Sequence, residues 1–275
     1  MRLFLSLLLL CVFAQSVHAE SPLERGRYIV EVIAACGNCH TQNGPEGKVM
    51  SMHLAGGMHI IDGGMDAWTS NITQDVETGI GGWSDEEIIR VIREGIKPDG
   101  SVIGPLMPIM AYRHISDSDA NAIVAYLRTI KPIKSAVKPS GYPFPLPENY
   151  GPPLGSVPDP DRSNPVEYGE YLAGPLGHCM ECHSSPNEQG MPDMENALGA
   201  GGLLFHGPWG VSASANITPN GIGQKSDEEI KQMITTGTRA DGTKLLPPMG
   251  FNYYSNLTPG DLDAIVAYLR SLPPR

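Results

Sequence analysis

Two segments of the chain place apolar residues with the period of a helix, and both begin with the same four residues, Ser-Asp-Glu-Glu. In each, the opening serine (Ser84 or Ser226) stands three residues before a glutamate, which is the pattern of a capping box at a helix start. Apolar residues then recur three and four positions apart, as on one buried face of a helix. We expect both helices to end at glycines, Gly95 and Gly237, because glycine readily adopts the left-handed conformation that closes a helix.

The last helix of each half carries an identical run, Ala-Ile-Val-Ala-Tyr-Leu-Arg. One copy should begin at Ser116 and end at Arg128. The other should begin at Thr258, with Pro259 at the first helical position, and end at Arg270. No segment alternates apolar and polar residues with the period of a strand, so the pattern predicts a mainly α fold with long loops. Two further helices are predicted at about 23–34 and 166–172.

The second half of the chain repeats the first, with an offset that stays between 142 and 145 residues. Residues 131–165 separate the halves and hold ten prolines, so no regular helix or sheet can continue there. The apolar residues of this linker indicate that it lies across the domain surfaces as extended chain. The sequence therefore predicts two tandem domains, at 20–130 and 166–275, joined by a Pro-rich linker, 131–165.

Each half contains one Cys-x-x-Cys-His pentapeptide, at Cys36–His40 and at Cys179–His183. Two thiols at this spacing can bond to the two vinyl groups of one haem, and the adjacent imidazole then reaches the iron as its proximal ligand. We therefore predict two covalently bound haem c groups. The predicted attachment residues are Cys36, Cys39, Cys179 and Cys182, and the predicted proximal iron ligands are His40 and His183.

A Cys-x-x-Cys pair alone also occurs in disulfides, in zinc sites and in redox dithiols. Here the two pentapeptides use every cysteine outside residues 1–19, and each pair is followed by a histidine. No further cysteine remains to complete a four-thiolate zinc site. The haem interpretation is therefore favoured over these three alternatives.

The second axial ligand decides between electron transfer and chemistry at an open iron. Met107 and Met249 each stand 15 residues before the repeated Ala-Ile-Val-Ala-Tyr-Leu-Arg run, in Pro-rich surroundings. We predict them as the distal ligands, because a thioether at this position raises the potential of a haem. The competing ligands are the remaining histidines, none of which pairs clearly in register between the halves: His53, His59, His114, His178 and His206.

Residues 1–19 combine a basic start, an apolar stretch containing Cys11 and a small-residue cleavage pattern, so we expect an export signal and a periplasmic protein. No later segment approaches the roughly 20 apolar residues of a membrane span, and we expect the mature chain to be soluble, with peripheral membrane association left open. Without the signal, 18 basic residues face 30 acidic ones, a net charge of −12. This charge argues against a nucleic-acid partner.

The motifs resemble class I c-type cytochromes, and the whole mature chain is similar to the cytochrome c subunits of bacterial alcohol and aldehyde dehydrogenases. The resemblance rests on Cys-x-x-Cys-His, Asn-Ile-Thr, Gly-Ile-Gly-x-x-Ser-Asp-Glu-Glu and the Met-x-x-x-x-Tyr step. Those subunits carry three haems and often a C-terminal membrane-binding segment, whereas this chain has two motifs. The resemblance implies electron transfer from a dehydrogenase donor to a cytochrome or terminal oxidase. The alternatives are a haem oxidoreductase of the peroxidase or thiosulfate-oxidising type, with one open iron site, and a redox-inert scaffold or sensor.

Overall fold

The computed structural model describes residues 20–188 and 190–275, so the predicted export signal at 1–19 lies outside the described residues. The part of the chain that it describes contains no helix long and apolar enough to cross a membrane. Short helices joined by long loops dominate both halves. The helices are α1 (Pro22–Tyr28), α2 (Cys36–His40), α3 (Asp85–Glu94), α4 (Ile109–Tyr112), α5 (Asp117–Leu127), α6 (Pro165–Tyr171), α7 (Cys179–His183), α8 (Pro219–Ile222), α9 (Asp227–Thr236), α10 (Phe251–Tyr254) and α11 (Pro259–Ser271).

The predicted starts and ends of α3, α5, α9 and α11 are confirmed to within about one residue. The side chains of Ser84 and Ser226 each accept a hydrogen bond from a backbone N–H three residues on, and the glutamates at those positions complete both capping boxes. Gly95 and Gly237 close α3 and α9 with φ of 71° and 60°. Helices α1 and α6 each continue into a π-helical turn, Ile29–Ile33 and Leu172–Leu176, that leads to the haem motif.

In each domain the first helix crosses the last helix at very short range. A Cβ atom at Gly26 in α1 would lie 1.8 Å from the carbonyl oxygen of Ala122 in α5. A Cβ atom at Gly169 in α6 would lie 1.9 Å from that of Ala264 in α11. Only glycine lets the two backbones approach this closely, so both halves have glycine at the crossing. The same crossing therefore positions the start of the haem motif in each half.

Three short antiparallel hairpins interrupt the loops, where the sequence predicted no strands. Their strands have two to four residues, too few to show an alternating pattern. The second and third hairpins have the same register, with His59 opposite Trp68 in one and Leu204 opposite Ala213 in the other. The strands are β1 (Asn43–Gly44), β2 (Gly47–Lys48), β3 (His59–Asp62), β4 (Met65–Trp68), β5 (Leu204–Gly207) and β6 (Gly210–Ala213).

The linker packs along the first domain as extended chain, as the sequence predicted. Tyr142 covers Gly104, and Tyr150 covers Gly95 while its hydroxyl donates to the carbonyl of Ile103 (2.9 Å). The linker therefore does not swing free of the first domain.

The two domains share one hydrophobic core and meet through two matching hydrogen-bonded contacts. In the first, Tyr28 of α1 donates to the Asp261 carboxylate (2.5 Å) and accepts from the backbone N–H of Thr258 (3.2 Å). We call these three residues the first clasp. It ties the first helix of domain one to the start of the last helix of domain two.

The second clasp is the same contact with the domains exchanged. Tyr171 of α6 donates to the Asp119 carboxylate (2.8 Å) and accepts from the backbone N–H of Ser116 (3.1 Å). Asp119 also receives two hydrogen bonds from Arg25, both of 2.8 Å. The clasps relate the domains by an approximate two-fold rotation, since each half supplies a tyrosine to one and an aspartate to the other.

Candidate functional site

Each Cys-x-x-Cys-His pentapeptide forms a single helical turn, α2 or α7. The residue before each turn has a left-handed backbone, with φ of 48° at Ala35 and 41° at His178. This sharp bend separates the turn from the preceding π-helical segment. One turn of helix brings the two thiols and the imidazole to neighbouring positions, as attachment to one macrocycle requires.

The two motif histidines are oriented in the same way. His40 Nδ1 lies 2.7 Å from the carbonyl oxygen of Ser70, and His183 Nδ1 lies 2.7 Å from that of Ala215. Because a carbonyl only accepts, each Nδ1 carries the proton and Nε2 is left with its lone pair for a metal. Burial lowers the pKa of both imidazoles, against the opposing effect of these hydrogen bonds, so the neutral form needed for ligation is favoured.

The cysteines suit thioethers better than thiolates. Burial raises the pKa of Cys36 and of Cys179 to about 12 and that of Cys182 to about 11. Within the described residues no group of three or more His, Cys, Asp or Glu side chains could hold a metal ion. Two neutral thiols on one helical turn, followed by an imidazole whose Nε2 carries no proton, fit a covalently attached haem with a histidine on its iron.

The two predicted distal ligands occupy equivalent backbone positions. The backbone carbonyl oxygen of Met107 accepts a hydrogen bond from the N–H of Ile109 (2.7 Å), and that of Met249 accepts one from the N–H of Phe251 (3.0 Å). Both side chains are half-buried, and each methionine is followed by a short helix, α4 or α10, that ends in a tyrosine. That tyrosine in the first domain, Tyr112, is buried in the apolar cluster against which Met107 and Cys36 pack, and this burial raises its pKa.

The tyrosine of the second domain, Tyr254, packs against the same apolar cluster, as does Cys179. Burial raises its pKa, and the thiols of Cys179, Cys182 and Cys39 add to the rise. Matching positions of the two loops thus carry tyrosines that pack in or against the apolar core. The ligand roles of Met107 and Met249 stay predictions, as do the individual roles of the cysteines and histidines.

The domain interface brings the two motifs towards each other. The segments that lead into the two motifs contact each other, since a Cβ at Gly177 would lie 3.4 Å from Cδ1 of Ile33. Tyr112 of the first domain packs edge-on against His178, beside the second motif, with ring centroids 5.8 Å apart. Tyr253 reaches the other way, and its hydroxyl would lie 3.3 Å from a Cβ at Gly37. Each domain therefore contributes to the surroundings of the other domain's motif.

One charged cluster distinguishes the first motif from the second. The Glu31 carboxylate accepts hydrogen bonds from His53 Nε2 and from the Tyr126 hydroxyl, both of 2.8 Å. Although burial would raise the pKa of Glu31, these two hydrogen bonds lower it, and the carboxylate in turn contributes to the raised pKa of Cys36. The residue aligned with Glu31 in the second domain is a glycine, so this half-buried carboxylate with a lowered pKa has no counterpart at that position beside the second motif.

A different acidic residue lies inside the second motif. Burial raises the pKa of Glu181 to about 7 and lowers that of His178, 3.9 Å away, to about 4. Neither group is therefore charged throughout the neutral range, in contrast to Glu31. The environments of the two motifs differ in charge although their backbones match.

Residues outside the motifs complete the site, and sequence reasoning missed them. The Ser70 and Ala215 carbonyls belong to the backbone, so no side-chain type marks them; only the repeated Asn-Ile-Thr that follows each indicates the position. The tyrosines and aspartates of the clasps occupy matching positions of the repeat, and that register is the signal that could have found them.

Comparisons with known proteins agree with this geometry. Residues 167–273 match the family described as "Cytochrome c", and residues 21–127 match "Cytochrome C oxidase, cbb3-type, subunit III". The chain is 30% identical over 273 residues to the fructose dehydrogenase cytochrome subunit of Gluconobacter japonicus, covering 94% of this chain and 54% of that protein. It is 30% identical over 296 residues to the cytochrome c subunit of a quinone-dependent alcohol dehydrogenase of Gluconacetobacter polyoxogenes, covering 98% and 60%.

A shorter relative matches over most of its length. This is a "Diheme cytochrome c-type" protein of Cereibacter sphaeroides, 29% identical over 249 residues, with 86% of this chain and 82% of the relative covered. The chain spans little more than half the length of the two dehydrogenase subunits above. The similarity extends across both motif-bearing halves.

Proposed function

We propose that this chain, since it belongs to the cytochrome c family and carries two covalently bound haem c groups, transfers electrons one at a time from a dehydrogenase to a downstream cytochrome or terminal oxidase. The observation that carries the proposal is that each domain contributes a tyrosine to the surroundings of the other domain's motif turn, Tyr112 beside His178 and Tyr253 beside Gly37. The haems supply one-electron redox couples, and the chain supplies their attachment, orientation and shielding.

The residues divide this work in the same way in both halves. Cys36, Cys39 and their counterparts in α7 hold each macrocycle against its own turn. His40 donates its Nδ1 proton in a hydrogen bond to the Ser70 carbonyl, so that its unprotonated Nε2 would be the atom that binds the iron. Filled axial positions would leave no site for a substrate, because a ligand cannot bind an iron whose sixth position is taken. The proposed chain therefore makes and breaks no substrate bond.

The names of the relatives support a dehydrogenase as the donor, since they include cytochrome subunits of fructose, alcohol and gluconate dehydrogenases. The pattern of residues 1–19 supports a periplasmic location. The acidic surface of the chain would favour a partner that presents a basic patch.

The test uses the purified holoprotein and two optical measurements. The oxidised form should show the near-infrared charge-transfer band of methionine bound to ferric iron, and the reduced form should not change when carbon monoxide is added. Rapid binding of the gas by one haem would reveal an open iron and transfer the assignment to a haem oxidoreductase. The donor is then identified by following haem reduction in periplasmic and membrane fractions supplied with fructose, ethanol or gluconate.

A further inference from the structure

The two domains differ at a pair of matching positions between the first helix and the last helix. In the first domain the Tyr126 hydroxyl donates to the Glu31 carboxylate (2.8 Å). The residues at the matching positions of the second domain are Tyr268 and Gly174. Beyond its own turn and its chain neighbours, a Cβ at Gly174 would meet no atom within 4 Å. The place that corresponds to the Glu31 side chain is therefore open in the second domain.

Tyr268 is placed like Tyr126, but its hydroxyl has no partner. A Cβ at Gly26 would lie 3.0 Å from Cβ of Tyr126, and a Cβ at Gly169 would lie 2.9 Å from Cβ of Tyr268. Tyr268 is only 7% exposed, and within the described residues its hydroxyl makes no hydrogen bond. The hydroxyl oxygen is not among the fully enclosed unpaired atoms, so it faces the cleft that Tyr268 and Gly174 line together. A polar group in this position is available to a ligand.

The cleft lies between the two domains and the linker and has a volume of about 460 Å³. Its rim carries three exposed carboxylates, those of Asp159 in the linker and of Glu167 and Glu170 in α6. Apart from His114, no basic side chain among the described residues lines it. These acids do not form a metal site, since no group of three or more His, Cys, Asp or Glu in the described residues could hold a metal ion. A buried tyrosine below a negatively charged rim instead suits an organic cation.

The negative charge of the rim is not balanced within the described residues. Glu170 makes no hydrogen bond or ion pair there. Glu167 accepts one hydrogen bond from the backbone N–H of Asp161 (3.2 Å), and Asp159 accepts one from the Ser118 hydroxyl. Because neither of these bonds brings a positive charge, all three carboxylates can attract a cation from outside the chain.

We propose that this cleft binds a lysine or arginine side chain of the redox partner, with its cationic group between the Glu170 carboxylate and the Tyr268 hydroxyl. The hydroxyl oxygen accepts a hydrogen bond from the cation, and the carboxylate pairs with its charge. The Gly174 carbonyl accepts from the N–H of His178 (2.9 Å), next to the second motif, so the partner docks beside the second haem. The proposal rests on the proposed function only in making the partner a redox protein.

The probe is the blocked peptide acetyl-Gly-Lys-Gly-amide, titrated at low ionic strength into the reduced holoprotein while the NMR signal of the Gly174 amide is followed. The matched peptide with norleucine in place of lysine has the same side-chain stem without the charge. The lysine peptide should shift the Gly174 signal and the norleucine peptide should not. Added salt should weaken the binding, because it screens the exposed carboxylates.

Four variants assign the binding to the cleft. Tyr268→Phe should weaken it about tenfold, because a hydrogen bond to a charged group is lost. Glu170→Gln should weaken it about threefold, as expected for an exposed ion pair. Glu86→Gln removes an exposed carboxylate from α3 of the first domain and is the matched control that should leave the affinity unchanged. Gly174→Leu should abolish binding, because the side chain would fill the open space.

Three results would overturn the proposal. The first is equal binding of the lysine and norleucine peptides, and the second is an equal loss of affinity in Glu170→Gln and Glu86→Gln. The third is binding of n-butylammonium more than tenfold tighter than that of the lysine peptide, which would assign the cleft to a free amine. If Gly174→Leu does not fold, Tyr268→Phe and Glu170→Gln decide. An open iron detected with carbon monoxide would reject the electron-transfer function without changing these affinities, so the two proposals fail separately.

Discussion

Replacing Tyr28 by phenylalanine should weaken the domain interface more than the same replacement at Tyr171, although the two tyrosines make equivalent contacts. The difference lies in their carboxylate partners. Among the described residues, Tyr28 is the sole side-chain donor to Asp261, which is 8% exposed. Asp119 instead keeps both hydrogen bonds from Arg25 when the Tyr171 hydroxyl is removed.

The expected magnitudes follow from these partners. A hydrogen bond to a charged group contributes about 1.5–3 kcal/mol, and leaving its buried acceptor unpaired costs a similar amount. We therefore expect Tyr28→Phe to lower the free energy of unfolding by about 1.5–3 kcal/mol. Tyr171→Phe should lower it by about 0.5–1.5 kcal/mol, because the charge of Asp119 remains paired.

A pair of double-mutant cycles measures these couplings directly. One cycle combines Tyr28→Phe with Asp261→Asn, and the other combines Tyr171→Phe with Asp119→Asn. Urea unfolding of the holoprotein is followed by far-ultraviolet circular dichroism and by Soret absorbance, and coincident curves justify a two-state treatment. A coupling energy near zero in the first cycle, or a larger one in the second, would refute the reasoning.

Three further predictions concern the haem sites and the helix crossing. Met249→Ala should leave the second haem attached but lower its midpoint potential, with Met107→Ala as the matched change in the first domain; an unchanged potential in a redox titration would reject Met249 as ligand. Glu31→Gln should raise the potential of the first haem alone, because a nearby anion stabilises the oxidised iron. Because the pKa of Glu31 is lower in the folded than in the unfolded chain, its carboxylate stabilises the fold at pH values above the unfolded-state pKa. This stabilisation is lost as the pH falls through the folded-state pKa, so Glu31→Gln should lose less stability than the unaltered protein on acid titration. Gly26→Ala should destabilise the first domain by about 1–3 kcal/mol or more, since its Cβ would overlap a carbonyl oxygen; an unchanged urea midpoint would contradict the observed crossing.

Much of the fold could be predicted because the capping and helix patterns of the first half recur in the second half. Ser84 and Ser226 cap their helices as the capping-box pattern predicts, and every helix of the second half except α8 has a counterpart at the matching position of the first half. The hairpins could not be predicted, because strands of two to four residues are too short to show a period. The antiparallel bridge between Asp66 of β4 and Gly141 of the linker also escaped prediction, since a backbone bridge depends on position and not on residue type.

The residues of the haem motifs could be predicted from the sequence, but the residues that pack around the motifs could not. The Cys and His spacing names the cofactor, and the structure gathers each motif into one turn. The Glu31 cluster has no sequence pattern because His53 and Tyr126 lie 22 and 95 residues from Glu31 along the chain and reach it only in the folded structure. Glu31 is therefore an asymmetry that a comparison of the repeats detects as a mismatch but cannot place beside a haem.

The two clasps attach the domains at two points, and this gives the interface redundancy. A change in Tyr28 opens one clasp and leaves Tyr171 holding the other, so the domains stay joined but gain one pivot about which they can rotate. The separation of the haems would then vary within a molecule that is still folded. Loss of a single hydroxyl could thus broaden the distribution of electron-transfer rates between the haems while the average structure scarcely changes.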